Sequence, residues 1–141
     1  MTLSRITTGL SLLGAAFILY IGLTYLIAPE TIAPGFGLPE WPEGKASAFM
    51  NLKGVRDTAS GVLILVLLAT RQRYALGVGM LATSLVPIGD MLTVLRYDGS
   101  TAAAVGIHGF TAALVILTAT LLIREQRAVR SARVATHAVA A

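Results

Sequence analysis

The chain contains no cysteine, which excludes disulfide bonds, thiolate catalysis and zinc–thiolate sites. Charge is also scarce, because 13% of the 141 residues are charged, against about 25% in a typical soluble domain. The sequence is instead 55% hydrophobic, with a mean hydropathy of +0.77. This composition predicts a chain whose solvent is a lipid bilayer.

Apolar residues are concentrated in four stretches, which predict an all-α integral membrane four-helix bundle in one domain, residues 1–123. The predicted spans are residues 6–28, 51–70, 74–95 and 101–123, each close to the roughly 20 residues that cross a hydrocarbon core of about 30 Å. A cleaved signal peptide is the alternative for the first stretch. That stretch exceeds the usual apolar core of about 7–15 residues, and only Arg5 precedes it as a charged side chain, so we predict a retained helix.

The second span is the most informative, because its purely apolar part is too short to cross a bilayer alone. That part covers residues 59–69, interrupted only by Ser60 and Gly61. Counting back about 20 residues from Thr70 reaches Asn51. The length requirement therefore draws three charged residues into the membrane-embedded helix: Lys53, Arg56 and Asp57.

Basic residues predict the orientation of the spans. With four spans, the two termini and the middle turn share one side. The arginines of that side are Arg5, Arg71, Arg73, Arg124, Arg127, Arg130 and Arg133. The positive-inside rule makes this side cytoplasmic, which predicts a multi-pass protein of the cell membrane with a basic, alanine-rich cytoplasmic tail, residues 124–141. The formal charge of +4 is therefore explained by the orientation of the spans in the membrane. We expect membrane lipid as a partner and no nucleic acid.

Ionisable residues of three predicted spans converge at one depth. Asp90 lies about five residues before the outer end of its helix, and His108 about seven residues after the start of the next. Arg56 and Asp57 lie about five or six residues inside the second helix. All four fall about 7–11 Å below the same outer surface, which predicts one polar site near the outer leaflet.

Spacing also predicts how these side chains pair. Lys53 and Asp57, four residues apart, can pair along the helix. Arg56 and Asp57 point about 100° apart and are expected to serve each other poorly, which leaves Arg56 free for Asp90 or a ligand. His108 is expected to hydrogen-bond Asp90 if the third and fourth helices pack as a hairpin.

These positions define the predicted site. The candidate catalytic residues are Asp90, His108 and Asp57, and the candidate substrate-binding residues are Arg56, Lys53, Asn51, Tyr20, Tyr25 and Trp41. Trp41, in a loop rich in proline and glycine, is either an interfacial anchor or part of a lid over a pocket. We expect no cofactor and no metal, because a single histidine lies in a span and Arg56 would repel a cation.

Short motifs add a family resemblance. They are the stretch from Lys53 to Gly61, then Pro87-Ile88-Gly89-Asp90, and His108. In these positions the chain resembles a family of small four-helix membrane proteins, catalogued as domain of unknown function 4267. The resemblance implies a four-helix fold and the grouping of Arg56, Asp57, Asp90 and His108, and it implies no established activity.

Three functions fit the pattern. The first is an enzyme that performs acid–base chemistry, of the isomerase, hydrolase or cyclase type, on a lipophilic small molecule. The second is a structural or accessory subunit in which a buried ion-pair network fixes the helix packing. The third is a small proton-coupled transporter. Small residues four apart fit packing within the bundle or a homo-oligomer equally well: Ala75, Gly79 and Thr83, and Ala104, His108 and Ala112.

Overall fold

The structure, a computed structural model, describes residues 2–139, and within that range the side chains of all residues except 133, 134, 138 and 139. Every regular element in this range is helical, which confirms the all-α prediction. The predicted tail therefore extends two residues beyond the described range, and the side chain of Arg133 lies outside it.

Seven α-helices and three short helical segments follow one another along the described chain. The first half contains α1 (Leu3–Ile27), α2 (Pro29–Ile32), the 3₁₀ turns Ala33–Phe36 and Gly44–Ser47, and α3 (Ala48–Ala69). The second half contains α4 (Arg73–Thr83), α5 (Leu85–Arg96), α6 (Thr101–Ala103), a π-helical segment (Ala104–Gly109) and α7 (Phe110–Val139). The start of the predicted tail is thus a continuation of the last helix.

Three helices of the described chain are long and apolar enough to cross a membrane: Leu3–Ile27, Arg73–Arg96 and Thr101–His137. They indicate a membrane protein. The helix α3 is not among them, although its 22 residues give it a length of about 33 Å. It carries three charged side chains, and the structure confirms that Lys53, Arg56 and Asp57 all lie within this one helix.

Two irregularities interrupt the predicted third and fourth spans. The α4 and α5 helices meet at Ser84, three residues before Pro87. Proline has no N–H to donate to Thr83, and its ring crowds that carbonyl, so the regular ladder breaks there. In the fourth span, the π-helical turn inserts one extra residue per turn around His108, a distortion that is frequent at functional sites.

Glycines bring α1 and α3 into close contact. A Cβ atom added to Gly22 would lie 2.5 Å from the backbone nitrogen of Thr58, and one added to Gly54 would lie 2.9 Å from the carbonyl oxygen of Gly22. Close backbone approach of this kind replaces the hydrophobic drive that is missing in lipid. A second contact joins α4 and α7 through the buried residues Leu76, Met80, Ala119 and Leu122.

Alanine at Gly22 is expected to lower the free energy of unfolding by about 1–3 kcal/mol, because the backbone of α3 must move away from the new Cβ. The matched control is Gly14→Ala on the same helix, where an added Cβ meets nothing within 4 Å. That variant should be neutral or slightly more stable, since alanine favours helix. Thermal unfolding in detergent measures both, and equal melting temperatures would contradict the close contact.

The predicted small-residue stripes differ in their surroundings. On the fourth span Ala104, His108 and Ala112 are all buried within the chain. On the third span Ala75 is exposed, and a Cβ added to Gly79 would meet nothing within 4 Å. The stripe of Ala104, His108 and Ala112 therefore packs inside the molecule. An oligomer formed through the stripe of Ala75, Gly79 and Thr83 stays a prediction.

Candidate functional site

Four charged side chains from α3 and α5 form one connected cluster, the charged quartet (Lys53, Arg56, Asp57 and Asp90). The Nζ atom of Lys53 lies 2.7 Å from Asp57 Oδ2 and 3.4 Å from Asp90 Oδ2. A guanidinium nitrogen of Arg56 lies 3.5 Å from Asp90 Oδ2. The sequence grouped Arg56, Asp57 and Asp90 by depth and paired Lys53 with Asp57 along the helix, and the structure brings the four into contact.

The quartet has equal numbers of positive and negative charges and is largely shielded from solvent. The side chain of Asp57 is 1% exposed, that of Asp90 17%, and that of Lys53 19%. Arg56 is the most open at 42%. Burial of a charge without a partner is costly, so the two carboxylates and two cations stabilise one another by mutual compensation.

One pairing expectation was wrong. Arg56 Nε donates to Asp57 Oδ1 at 3.0 Å, although the two residues are neighbours in the sequence. The 100° between successive helical positions describes the Cα–Cβ bonds, whereas the arginine chain is long enough to bend back toward the adjacent carboxylate. Arg56 therefore forms ion pairs with both Asp57 and Asp90.

The expected hydrogen bond between His108 and Asp90 is also not formed in the described structure. The Nε2 atom of His108 lies 2.8 Å from the backbone carbonyl of Phe36. A carbonyl can only accept, so Nε2 carries the hydrogen and donates it. The rings of Phe36 and His108 are also in contact, with centroids 4.6 Å apart. His108 therefore connects the first loop to the π-helical segment.

A second bond holds the same loop. The backbone N–H of Ser100 donates to the carbonyl of Gly37 at 2.8 Å. Gly37 has a φ of +97°, which favours glycine, and an added Cβ there would collide with the side chain of Ala103. The turn after α5 and the π-helical segment together therefore fix the loop at residues 36–37.

Between this loop and the helices α1 and α3 lies a pocket of about 150 Å³. Its walls include aromatic rings, small apolar side chains and one charged residue; among them are Tyr25, Ala33, Phe36, Trp41, Phe49 and Lys53. We call it the loop pocket. The pocket is open to the surface over much of its boundary.

Lys53 belongs to both the quartet and the loop pocket. Its Nζ atom lies 5.1 Å from the ring centroids of Tyr25 and Phe36, two walls of the pocket. Ammonium groups at such distances are attracted to aromatic faces. Trp41 lines the same pocket and packs against the cluster of Tyr25, Ala33 and Met50.

The remaining predicted site residues lie elsewhere. Tyr20 is 65% exposed on the outer surface of α1. Asn51 is exposed on α3. The structure therefore joins Lys53, Arg56, Asp57, Asp90, Tyr25 and Trp41 in or beside the pocket, places His108 behind Phe36, and leaves Tyr20 and Asn51 outside.

Sequence reasoning missed Phe36, which contacts both His108 and Lys53. The available signal was its position between Gly35 and Gly37, in a loop otherwise poor in aromatic residues. Glycines on both sides permit a tight backbone that presents its carbonyl inward. No group of three or more histidine, aspartate or glutamate side chains that could hold a metal occurs in the described part of the chain.

A second polar cluster, which we call the Arg73 cluster, joins α1, α4 and α7. Arg73 lies 3.0 Å from Glu125 Oε2, and both side chains are largely buried. Thr7 donates to the same carboxylate oxygen at 2.8 Å and also contacts Arg73. Burial alone would raise the pKa of Glu125, which follows the predicted span, but the hydrogen bonds from Arg73 and Thr7 lower it below its usual value.

Replacing His108 by leucine is expected to release the first loop, because Phe36 loses the donor to its carbonyl. A hydrogen bond worth about 1 kcal/mol implies that amide exchange around residues 33–37 rises roughly fivefold. The matched variant is His108→Gln, which keeps a side-chain donor and should restore part of the protection. Hydrogen–deuterium exchange in detergent gives the measurement, and unchanged exchange in the leucine variant would contradict the anchoring role.

The comparison with family models confirms the predicted family resemblance. The family model described as Domain of unknown function (DUF4267) matches residues 15–122, a range that contains the quartet, the loop pocket and His108. No curated protein and no solved structure matches the chain. Since the family model covers well over half of the sequence, the chain belongs to the DUF4267 family.

Proposed function

We propose that this chain is a multi-pass protein of the cell membrane that binds a lipophilic small molecule in the loop pocket near the outer leaflet. The observation that carries the proposal is the pocket itself, about 150 Å³ in volume, with aromatic walls and the ammonium of Lys53. Apolar walls with few polar groups are typical of small-molecule sites. A ligand reaching this pocket from the bilayer would not have to cross water.

The proposed topology has four spans, with both termini on the cytoplasmic side. Two contacts support it. The Arg73 cluster brings the start of α1, the start of α4 and Glu125 of α7 together. The bond from Ser100 to Gly37 joins the first loop to the turn after α5. Three apolar helices and the 22-residue α3 then run between two opposite ends.

Acid–base chemistry on the bound molecule, of the isomerase, hydrolase or cyclase type, is the second candidate. It is favoured by Lys53, whose Nζ atom contacts two carboxylates and lines the pocket. A positioned acid of this kind can polarise an oxygen atom of a substrate. Asp57 and Asp90 would act through Lys53, because each is already paired with two cations.

The structural alternative and the transporter make different predictions. A purely structural quartet needs no occupant in the pocket. A proton-coupled transporter needs a carboxylate that faces the two sides of the membrane in turn. If carboxylate-modifying reagents reacted with the quartet from one side of the membrane only, that result would argue against transport. An occupied pocket would argue against a purely structural role.

The binding proposal is tested by extracting the purified protein with organic solvent and analysing the extract by mass spectrometry. The test variant is Ala33→Leu, which adds bulk to a residue lining the pocket. The control is Ala46→Leu, at an exposed position of the same loop. We expect a small molecule that the wild type and the control retain and that Ala33→Leu loses. Identical extracts from all three proteins would contradict binding in the loop pocket.

A further inference from the structure

The loop pocket and the quartet share one residue, Lys53. An ammonium has three N–H donors. Asp57 receives one at 2.7 Å, and Asp90 lies at a longer 3.4 Å. The ammonium also lies 5.1 Å from the ring centroids of two pocket walls, Tyr25 and Phe36. With two donors directed at the carboxylates, one remains for a further acceptor, on an ammonium that lies beside two aromatic walls of the pocket.

Charge balance restricts what this donor can bind. Lys53 and Arg56 contribute two positive charges and Asp57 and Asp90 two negative charges, so the cluster is neutral as a whole. An anionic ligand would have to be desolvated without any excess positive charge to compensate it. A cationic ligand would face the ammonium itself. A neutral ligand with an oxygen acceptor meets neither cost.

We infer that the loop pocket takes a neutral, lipophilic molecule bearing a carbonyl, ester or epoxide oxygen, and that Lys53 donates a hydrogen bond to that oxygen. This inference rests on the proposed binding function and names its ligand class. It assigns the direct contact to Lys53, one of the predicted substrate-binding residues, and not to the candidate catalytic residues Asp90 and His108. The two aspartates position the ammonium, and Phe36 and Trp41 cover the apolar part of the ligand.

The neutral oxygen could come from a free small molecule or from the ester carbonyl of a membrane lipid. Both present the same acceptor to Lys53. Nanodiscs made from a diether lipid contain no lipid carbonyl, whereas nanodiscs made from a diester lipid with the same head group do. Binding of a small probe should weaken in the diester bilayer if the lipid ester competes for the pocket, and should be equal in both if it does not.

The probes are cyclohexanone, methylenecyclohexane and cyclohexanecarboxylate. The first two have nearly the same shape and differ in the oxygen, and the third is an anion. In diether nanodiscs, after correction for partition into the bilayer, we expect the wild type to bind cyclohexanone about tenfold more tightly than methylenecyclohexane, as a hydrogen bond to a charged donor allows. The carbonyl stretching frequency of bound cyclohexanone should fall relative to free ketone in the same bilayer.

The variant is Lys53→Met, and the matched control is Lys45→Met, since Lys45 is the other lysine of the chain and is exposed. Lys53→Met should bind the ketone and the alkene equally, and Lys45→Met should behave as the wild type. The vibrational measurement needs only wild-type protein, so it stands if Lys53→Met fails to fold.

The two proposals fail in different ways. Equal binding of ketone and alkene by the wild type, an unshifted carbonyl frequency, or tightest binding of the carboxylate would overturn the ligand class alone. Failure of all three probes to bind the wild type more than Ala33→Leu would overturn the binding function as well.

Discussion

Replacing Asp57 with asparagine is expected to lower the free energy of unfolding by about 3–5 kcal/mol, the cost typical of breaking a buried ion pair. Asp57 is the most deeply buried member of the quartet, at 1% exposure, and accepts from both Lys53 and Arg56. Asparagine keeps the shape of the side chain and removes its charge. Two cations then share Asp90 alone, and a net positive charge remains buried.

The control is Asp98→Asn, in the exposed turn after α5. Asp98 has a φ of 54°, a conformation that asparagine also tolerates, so the exchange should change stability by less than about 0.5 kcal/mol. Denaturation in mixed micelles followed by circular dichroism compares the two. If Asp57→Asn were as stable as Asp98→Asn, the quartet would not hold the fold together.

The second large effect is expected at the opposite end of the molecule, where Arg73→Met should cost about 3 kcal/mol. The substitution leaves the largely buried carboxylate of Glu125 without its cation. Thr7 would still donate to that carboxylate, but a hydroxyl group cannot balance its charge. Because Arg73 contacts residues of α1 and α7, the loss should loosen both helices.

Arg127→Met serves as the control, since Arg127 is an exposed arginine of α7. Adding Glu125→Gln to Arg73→Met should recover part of the lost stability, because the uncompensated charge disappears. The same unfolding measurement applies. If the two substitutions lowered the free energy of unfolding additively, so that the double variant lost the sum of the two single losses, the residues would contribute independently. That result would contradict the pairing.

Length and hydropathy were sufficient to predict that Lys53, Arg56 and Asp57 share one helix, whereas the depth of the quartet in a membrane stays a prediction. The apolar part of the predicted second span is too short to cross a bilayer, which predicted a helix that includes Lys53, Arg56 and Asp57. All three lie in α3, which is not among the helices apolar enough to cross a membrane. Asp90 was assigned to the same depth because it lies about five residues before the outer end of the predicted third span. These arguments need only the rise per residue and the thickness of the bilayer, both of which are independent of tertiary structure.

Side-chain partners were less predictable, for physical reasons that differ among them. Arg56 reaches Asp57 because a long flexible side chain overcomes the angle between neighbouring positions. The partner of His108 is a backbone carbonyl in a loop, and neither periodicity nor hydropathy predicts where a proline- and glycine-rich loop turns inward. The Arg73 cluster depends on the rotation of three helices about their axes, which a stretch of apolar sequence does not specify.

The most direct test of a binding function is an experimental density map of the wild-type protein in lipid nanodiscs, examined at the loop pocket. We expect density for a small non-protein molecule between Phe36 and Trp41, with one atom within hydrogen-bond distance of Lys53 Nζ. A pocket closed by its own side chains, with Lys53 bonded to Asp57 and Asp90 alone, would contradict the binding function and favour a structural quartet.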